Sequence, residues 1–151
     1  MKIRPANEAD LTKLSELIIH SVSVLNTADD SPKDIAYICT KHDPQHMQQN
    51  LYRREVFVLE MNNQLIGTIS LGGDRLHSLF VEPDSAKKGY GRILVGHIEN
   101  LARNNSVSVL KLSSSRTAVA FYEKLRFKKL GFEPREFAST WAMEKRLKPA
   151  S

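Results

Sequence analysis

The sequence predicts a mixed α/β fold that forms one domain over residues 1–151. Three observations support this prediction: β-rich runs alternate with amphipathic runs of helical periodicity, a two-residue turn joins two of the β-rich runs, and no linker, repeat or low-complexity tract divides the chain. A chain of 151 residues also has the length of one typical domain. The predicted order of elements is β-α-α-β-β-β-α-β-α-β-β.

The N-terminal part is predicted to begin with a short strand over residues 2–4 and to continue into a helix. Asn7 is a good N-cap, and Asp10 places a negative charge where the helix dipole favours it. The helix should end near Asn26, and a polar loop and short helical pieces should follow up to Tyr52. Its apolar face is marked at helical spacing by Leu11, Leu14, Ile18, Val22 and Leu25.

The middle of the chain predicts a β-hairpin and a third strand. Residues 55–61 and 64–71 are β-rich, and the pair Asn62-Asn63 between them tolerates the positive φ angles of a tight turn. The run 72–74 (GGD) then turns the chain into a strand over residues 76–81.

The C-terminal part is predicted to contain a strand over residues 106–112 and a helix from 115 to about 130. Two closing strands are expected near 132–137 and 140–145. Because proline cannot donate a ladder hydrogen bond, Pro134 makes the first of these an edge or irregular strand.

A basic turn with two glycines joins the strand over residues 76–81 to an amphipathic helix over about 89–104. Unpaired N–H groups and the dipole attract an anion to a helix N-terminus, and glycine lets ligand oxygens approach the backbone. The turn therefore predicts a site for a phosphorylated ligand. The pattern G-x-G-x-x-G is not met, because its third glycine position is Leu94, and no Walker-type loop is present. The residues of the turn are Lys87, Lys88, Gly89, Tyr90, Gly91 and Arg92.

Four segments, in this order and spacing, resemble the GNAT superfamily of N-acetyltransferases over nearly the whole chain. Residues 3–11 (IRPANEADL) are similar to that family's first strand and helix, and residues 76–83 (LHSLFVEP) to its fourth strand. Residues 109–113 (VLKLS) resemble the fifth strand, and residues 118–125 (AVAFYEKL) resemble the helix that carries a frequent tyrosine.

The resemblance implies a GNAT-like fold: a mixed, mostly antiparallel sheet of about six or seven strands, flanked by about four helices, with the fourth and fifth strands splayed apart. It also implies that acetyl-CoA is the acyl-donor substrate and that no metal is needed. The pantetheine arm of coenzyme A is expected to pair with the backbone of the fourth strand. The resemblance assigns to coenzyme A the residues Leu79, Phe80, Val81, Lys87, Lys88, Gly89, Tyr90, Gly91, Arg92 and Ser113.

The implied reaction is direct transfer of an acetyl group in a ternary complex to a primary amine of a small molecule or protein. Tyr122 is the candidate general acid, or the donor of a hydrogen bond to the departing thiolate. A phenol has a pKa of about 10 and a thiol about 8.5, so the hydrogen bond is favoured over a completed proton transfer. His77 is the tentative base, and His20 and Glu60 are further candidates. The acceptor amine is not identified by these residues.

Two positions depart from the family pattern. The turn Q/R-x-x-G-x-G/A has Ala86 at its first position, which leaves open the alternative of a non-catalytic acyl-CoA-binding sensor or regulatory domain. The helix end F-Y-x-x-x-G-F has Arg126 at its glycine, and a Gly-Phe pair appears only at residues 131–132. Either the helix is longer by more than a turn, or Phe127 takes the usual place.

Charge and composition limit the partners that we expect. Residues 1–83 have a net charge of −3 and residues 84–151 a net charge of +8, so the basic half contains the predicted phosphate site. Asp29 and Asp30 carry the charge that attracts an amine, but we interpret them as a solvated loop. No nucleic-acid-binding motif, membrane span or signal peptide is recognised, and one cysteine forms no internal disulfide. We therefore expect a cytoplasmic monomer or homodimer without nucleic-acid or membrane partners.

One cluster competes with this interpretation. Cys39, His42 and His46 lie close together in sequence and suggest a metal site or a thiol nucleophile. Asp43-Pro44, however, is typical of an N-cap followed by the first residue of a helix, which separates His42 from the helix of His46. We interpret these residues as structural or exposed.

Overall fold

The computed structural model describes residues 1–25 and 30–149. In this part of the chain five α-helices accompany seven strands, which confirms the predicted α/β class. The strands are β1 (Lys2–Pro5), β2 (Glu55–Met61), β3 (Gln64–Gly72), β4 (Arg75–Val81), β5 (Val109–Ser114), β6 (Lys128–Glu133) and β7 (Thr140–Arg146). The helices are α1 (Leu11–Leu25), α2 (Pro32–Lys41), α3 (Pro44–Arg53), α4 (Tyr90–Asn104) and α5 (Val119–Lys124), and 3₁₀ turns cover Glu8–Asp10, Pro83–Ser85 and Arg116–Ala118.

The strands form one sheet in the order β1-β2-β3-β4-β5-β7-β6. All neighbouring pairs are antiparallel except β4 and β5, which run parallel. These two strands pair only where Arg75 faces Lys111, beside a hydrogen bond of 2.9 Å from the Lys111 N–H to the Asp74 carbonyl. Beyond that point they diverge, which confirms the predicted splay of the fourth and fifth strands.

β4 contains a β-bulge where it pairs with β3. Thr68 of β3 lies opposite Phe80, but Ser70 lies opposite His77, so one residue of β3 faces two residues of β4. Ser78, in this bulge, has a φ of +53°, a left-handed conformation that non-glycine residues seldom adopt.

Helices cover both faces of the sheet. Val58 and Leu59 follow each other in β2, so their side chains point to opposite faces. Val58 packs in a buried cluster with α1 and α3, and Leu59 packs in a second cluster with α4 and α5. Within the described ranges 1–25 and 30–149, no helix has the length and apolar character needed to cross a membrane.

The start of the first helical segment is a capping box, as Asn7 and Asp10 predict. The Asn7 side chain accepts the Ala9 N–H at 2.9 Å, and the Asp10 carboxylate accepts the Asn7 N–H at 2.9 Å. The Arg4 guanidinium also donates one hydrogen bond to each carboxylate oxygen of Asp10, at 2.8 and 2.9 Å. These bonds hold the pKa of the Asp10 carboxyl below its ordinary value. The first strand and the first helix are thereby tied together.

The helix predicted from 115 to about 130 and the strand predicted over 132–137 are both present, but each ends earlier than predicted and the strand also begins earlier. α5 ends at Lys124, because the Phe127 N–H donates to the Tyr122 carbonyl and the Arg126 N–H to the Glu123 carbonyl, each at 3.0 Å. This pair of bonds is a Schellman motif, with Arg126 at a φ of +73° in the place that glycine usually takes. Phe127 is buried against Tyr122, and because α5 ends at Lys124 the alternative of a longer helix does not hold.

The other strand boundaries shift for related reasons. β6 starts at Lys128, directly after that motif, and ends at Glu133, before Pro134, at the edge of the sheet. The strand predicted from residue 106 begins at Val109, since Ser106 has a φ of +63° and closes α4 by the same pair of hydrogen bonds. The hairpin is confirmed, with positive φ at Asn62 and Asn63.

We expect Arg126→Gly to raise the free energy of unfolding by about 1 kcal/mol, because glycine adopts the left-handed conformation without a Cβ conflict. Urea unfolding measures this change. The matched control is Glu123→Gly inside α5, where glycine should lower the stability by about 1 kcal/mol. A loss of stability in both variants would contradict this account of the helix end.

Candidate active site

The divergence of β4 and β5 opens a cleft of about 610 Å³. Its walls come from the second half of β4, the turn before α4, the end of β5, and α5. The C-terminal half of α1, α2 and the segment before β7 line its other side. The cleft therefore brings together segments that lie far apart in the sequence.

One end of the cleft is the N-terminus of α4. Gly89 is the N-cap with a φ of +85°, and no side chain caps this end. The first helical bond runs from the Ile93 N–H to the Gly89 carbonyl at 3.1 Å, so the N–H groups of residues 90–92 have no partner within the helix. A Cβ on Gly91 would lie 3.1 Å from Cζ of Phe121, closer than ordinary contact, so a larger residue here would require that ring to shift.

The expected donor-binding residues are brought together, with one exception. Lys87, Gly89, Tyr90, Gly91 and Arg92 line the cleft at the α4 end, and Lys88 does not. Leu79, Phe80 and Val81 line it along β4, on a strand whose edge towards β5 is unpaired beyond Arg75. Ser113 lines it from β5, and its hydroxyl accepts a hydrogen bond of 3.0 Å from Arg75.

Tyr122 lies in the wall of the cleft with its ring buried. The ring packs edge-to-face against Phe121 and Phe127, which hold it between α5 and the strand that follows. Within the described part of the chain, no side-chain oxygen or nitrogen is both sealed from solvent and unpaired. No hydrogen bond is formed by the Tyr122 hydroxyl there, so this hydroxyl opens onto the cleft. Burial raises the pKa of the phenol above its ordinary value.

The base candidates proposed from the sequence do not line the cleft. The His77 ring packs near Gly72, and burial, with Arg54 and Arg75 nearby, lowers its pKa to about 4. The Glu60 carboxylate, on β2, accepts a hydrogen bond of 3.0 Å from Nε of Arg4 on β1. His20 is half exposed and lies 3.5 Å from Glu82.

His42, which we interpreted from the sequence as structural or exposed, lines the cleft. It is the C-cap of α2, and its Nδ1 lies 2.8 Å from the Ile38 carbonyl. Because a carbonyl only accepts, Nδ1 carries the hydrogen of the neutral ring, and Nε2 presents a lone pair to the Ser78 hydroxyl at 3.2 Å. Burial is the main cause that lowers the pKa of His42. Nothing in the sequence links residues 42 and 78.

The remaining residues of the competing cluster stay apart from the cleft. Nδ1 of His46 lies at hydrogen-bond distance, 2.8 Å, from Oδ1 of Asp43. Cys39 packs against the buried cluster that Val58 forms with α1 and α3. Among residues 1–25 and 30–149, no group of three or more histidine, cysteine, aspartate or glutamate side chains is arranged to hold a metal ion. Asp30 lines the cleft, and Asp29 lies outside the described residues.

Solved structures of GNAT N-acetyltransferases share this fold. A GCN5-related N-acetyltransferase from Rhodopseudomonas palustris superposes with a TM-score of 0.91 over 97% of this chain and 95% of that chain, at 22% identity. The PaiA N-acetyltransferase from Thermoplasma acidophilum, solved in complex with coenzyme A, superposes with a TM-score of 0.83 over 96% and 98%, at 21% identity. The architecture therefore has the fold of GNAT N-acetyltransferases.

Sequence similarity identifies the family. The model of the acetyltransferase (GNAT) domain matches residues 26–147, so the chain belongs to the GNAT acetyltransferase family. This confirms the resemblance drawn from the four segments. A peptidyl-lysine N-acetyltransferase, YjaB of Escherichia coli strain K12, is 35% identical over 69 residues, which are 46% of this chain and 46% of that protein. The match thus spans about half the length of this curated relative.

We expect His77→Gln to make the protein less sensitive to acid. The folded-state pKa of His77 is about 4 and the ordinary value is 6.5, so the unfolded chain binds the proton first and stability is lost as pH falls between these values. The substitution should reduce the loss of unfolding free energy between neutral pH and about pH 4.5 by about 2 kcal/mol, a value lowered for the partial exposure of the ring. Urea unfolding at both pH values measures this.

The matched control is His46→Gln, which removes a histidine paired with Asp43 at the surface. Equal acid sensitivity of wild type, His77→Gln and His46→Gln would contradict the expected contribution of His77.

Proposed function

We propose that this protein is an acetyl-CoA-dependent N-acetyltransferase that moves the acetyl group directly from the thioester to a primary amine. The observation that carries the proposal is the shared cleft: an uncapped helix N-terminus forms one end of it and the Tyr122 hydroxyl opens into it. Such a cleft can hold an anionic donor and can stabilise a charge that forms during the reaction.

The donor would bind along the α4 end and β4. The free N–H groups of residues 90–92 suit a pyrophosphate, and the side chains of Lys87 and Arg92 add positive charge there. The unpaired edge of β4 from Leu79 to Val81 offers backbone groups to the amide bonds of the pantetheine arm. A backbone N–H of the same stretch can face the thioester oxygen, which becomes negative in the transition state.

Tyr122 would act on the leaving sulfur through a hydrogen bond. Its raised pKa keeps the phenol protonated at neutral pH, so the hydroxyl is available as a donor. The thiolate, with an ordinary pKa of about 8.5, is too weak a base to take that proton completely. Stabilisation of the developing thiolate is therefore the role that fits this environment.

Release of free thiol from acetyl-CoA in the presence of amines tests the proposal. The panel should contain a lysine peptide, in view of the relative that is a peptidyl-lysine N-acetyltransferase, together with alkylamines, a polyamine and an aminoglycoside. Amine-dependent thiol release supports the proposal. Thermal stabilisation by coenzyme A without thiol release from any amine would instead support a non-catalytic acyl-CoA-binding sensor or regulatory domain.

We expect Tyr122→Phe to lower kcat by about 10- to 100-fold, the range of a lost hydrogen bond to a charged group, and to change the Kd of coenzyme A by less than about threefold. The matched control is Tyr52→Phe, which removes an exposed hydroxyl bonded to Glu8 outside the cleft and should leave kcat unchanged. An undiminished kcat in Tyr122→Phe would remove the role assigned to the phenol.

A further inference from the structure

We propose that Ser78 and His42 form the proton-accepting pair of the acceptor site. The ammonium group of the incoming amine would donate to the Ser78 oxygen, and the Ser78 hydroxyl would pass its own proton to Nε2 of His42. This inference rests on the proposed N-acetyltransferase function and names the base that this function needs. It replaces His77, which lies away from the cleft.

The hydrogen-bond directions fit this route. The Ile38 carbonyl, 2.8 Å from Nδ1, fixes the hydrogen of the neutral ring on Nδ1. Nε2 then accepts from the Ser78 hydroxyl at 3.2 Å. A hydroxyl that donates to a ring nitrogen keeps its own lone pairs for a second donor, and Ser78 presents this oxygen in the wall of the cleft.

Contacts with other elements position His42, and the bulge of β4 positions Ser78. The Ser15 hydroxyl of α1 donates to the His42 carbonyl at 2.8 Å, and the His42 ring packs edge-to-face on Phe80 with 5.2 Å between centroids. Ser78 has a φ of +53° at the bulge of β4. A strained backbone that persists in a cleft wall points to a functional constraint, and here it directs the hydroxyl towards His42.

The charges around His42 favour the neutral ring. Arg54, which follows α3, and His46 of α3 act on it in the same direction as burial, and each lowers the pKa of His42. On β4 it faces the uncharged Ser78 and Phe80, on α1 the uncharged Ser15, and the neighbouring Asp43 is engaged by His46. At neutral pH Nε2 therefore carries the lone pair that accepts from the Ser78 hydroxyl and can take its proton.

The reaction balances with this pair as the base. One proton leaves the ammonium through Ser78 to His42 and then passes to solvent. The amine lone pair forms the C–N bond at the thioester carbonyl, the C–S bond breaks, and the second nitrogen proton accompanies the formation of the thiol. The products are the acetamide, coenzyme A with a free thiol and one proton.

Two primary amines of similar size test the inference. Propylamine is an ammonium at neutral pH, whereas 2,2,2-trifluoroethylamine is mostly uncharged and brings no proton to be removed before attack. We expect His42→Gln to lower kcat/KM by about 100-fold with propylamine and by less than about tenfold with trifluoroethylamine. Ser78→Gly should show the same selectivity without a lower melting temperature, because glycine accepts the positive φ.

The control variant is His97→Gln, which removes a histidine of α4 that packs against Phe57 and is not among the residues lining the cleft, and it should change neither amine's kcat/KM by more than about twofold. Equal losses with both amines in His42→Gln, or no loss at all, would overturn the inference while thiol release by the wild type upholds the proposed function. Absence of thiol release by the wild type with every amine, the lysine peptide included, would overturn both. Unchanged Kd of coenzyme A in His42→Gln confirms that the variant retains its donor site.

Discussion

The site depends on how little of β4 pairs with β5. These parallel neighbours meet at one register position, Arg75 with Lys111, and then separate. Every other neighbouring pair of strands keeps at least four register positions, so the sheet remains continuous while this one junction opens. Buried backbone groups need partners, and an unpaired strand edge inside a cleft is stable when solvent or a ligand satisfies it. The same separation gives access to α4 and to Tyr122.

The sequence predicted the elements whose ends are decided by a few neighbouring residues. Asn7 caps the first helical segment and the pair Asn62-Asn63 forms the hairpin turn, because both features depend on side chains or φ angles within four residues. The failures came where α4 and α5 end. Both helices close with Schellman motifs that place Ser106 and Arg126 in the left-handed conformation, and the glycine that normally marks such an end is absent.

The candidate site divides in the same way. The end of the cleft at α4 was predictable, since the turn at Gly89 and Gly91 is a local motif whose backbone chemistry follows from glycine and a helix start. The contact of His42 with Ser78 was not, because the two residues lie 36 positions apart in the sequence and meet only in the folded chain. The residues around a histidine at a helix C-cap do not indicate which distant serine it will contact in the folded protein.

Burial has opposite consequences for the two titratable groups in the cleft wall. Removal from water disfavours the charged form, so it raises the pKa of the Tyr122 phenol and lowers that of the His42 imidazole. At neutral pH the phenol is thus a donor and the imidazole an acceptor, and neither needs a charged partner. Acetyl transfer to an amine requires a donor at the sulfur and an acceptor at the nitrogen at the same pH. The cleft wall holds a group of each kind, because the same desolvation acts on an acid that is neutral when protonated and on a base that is neutral when deprotonated.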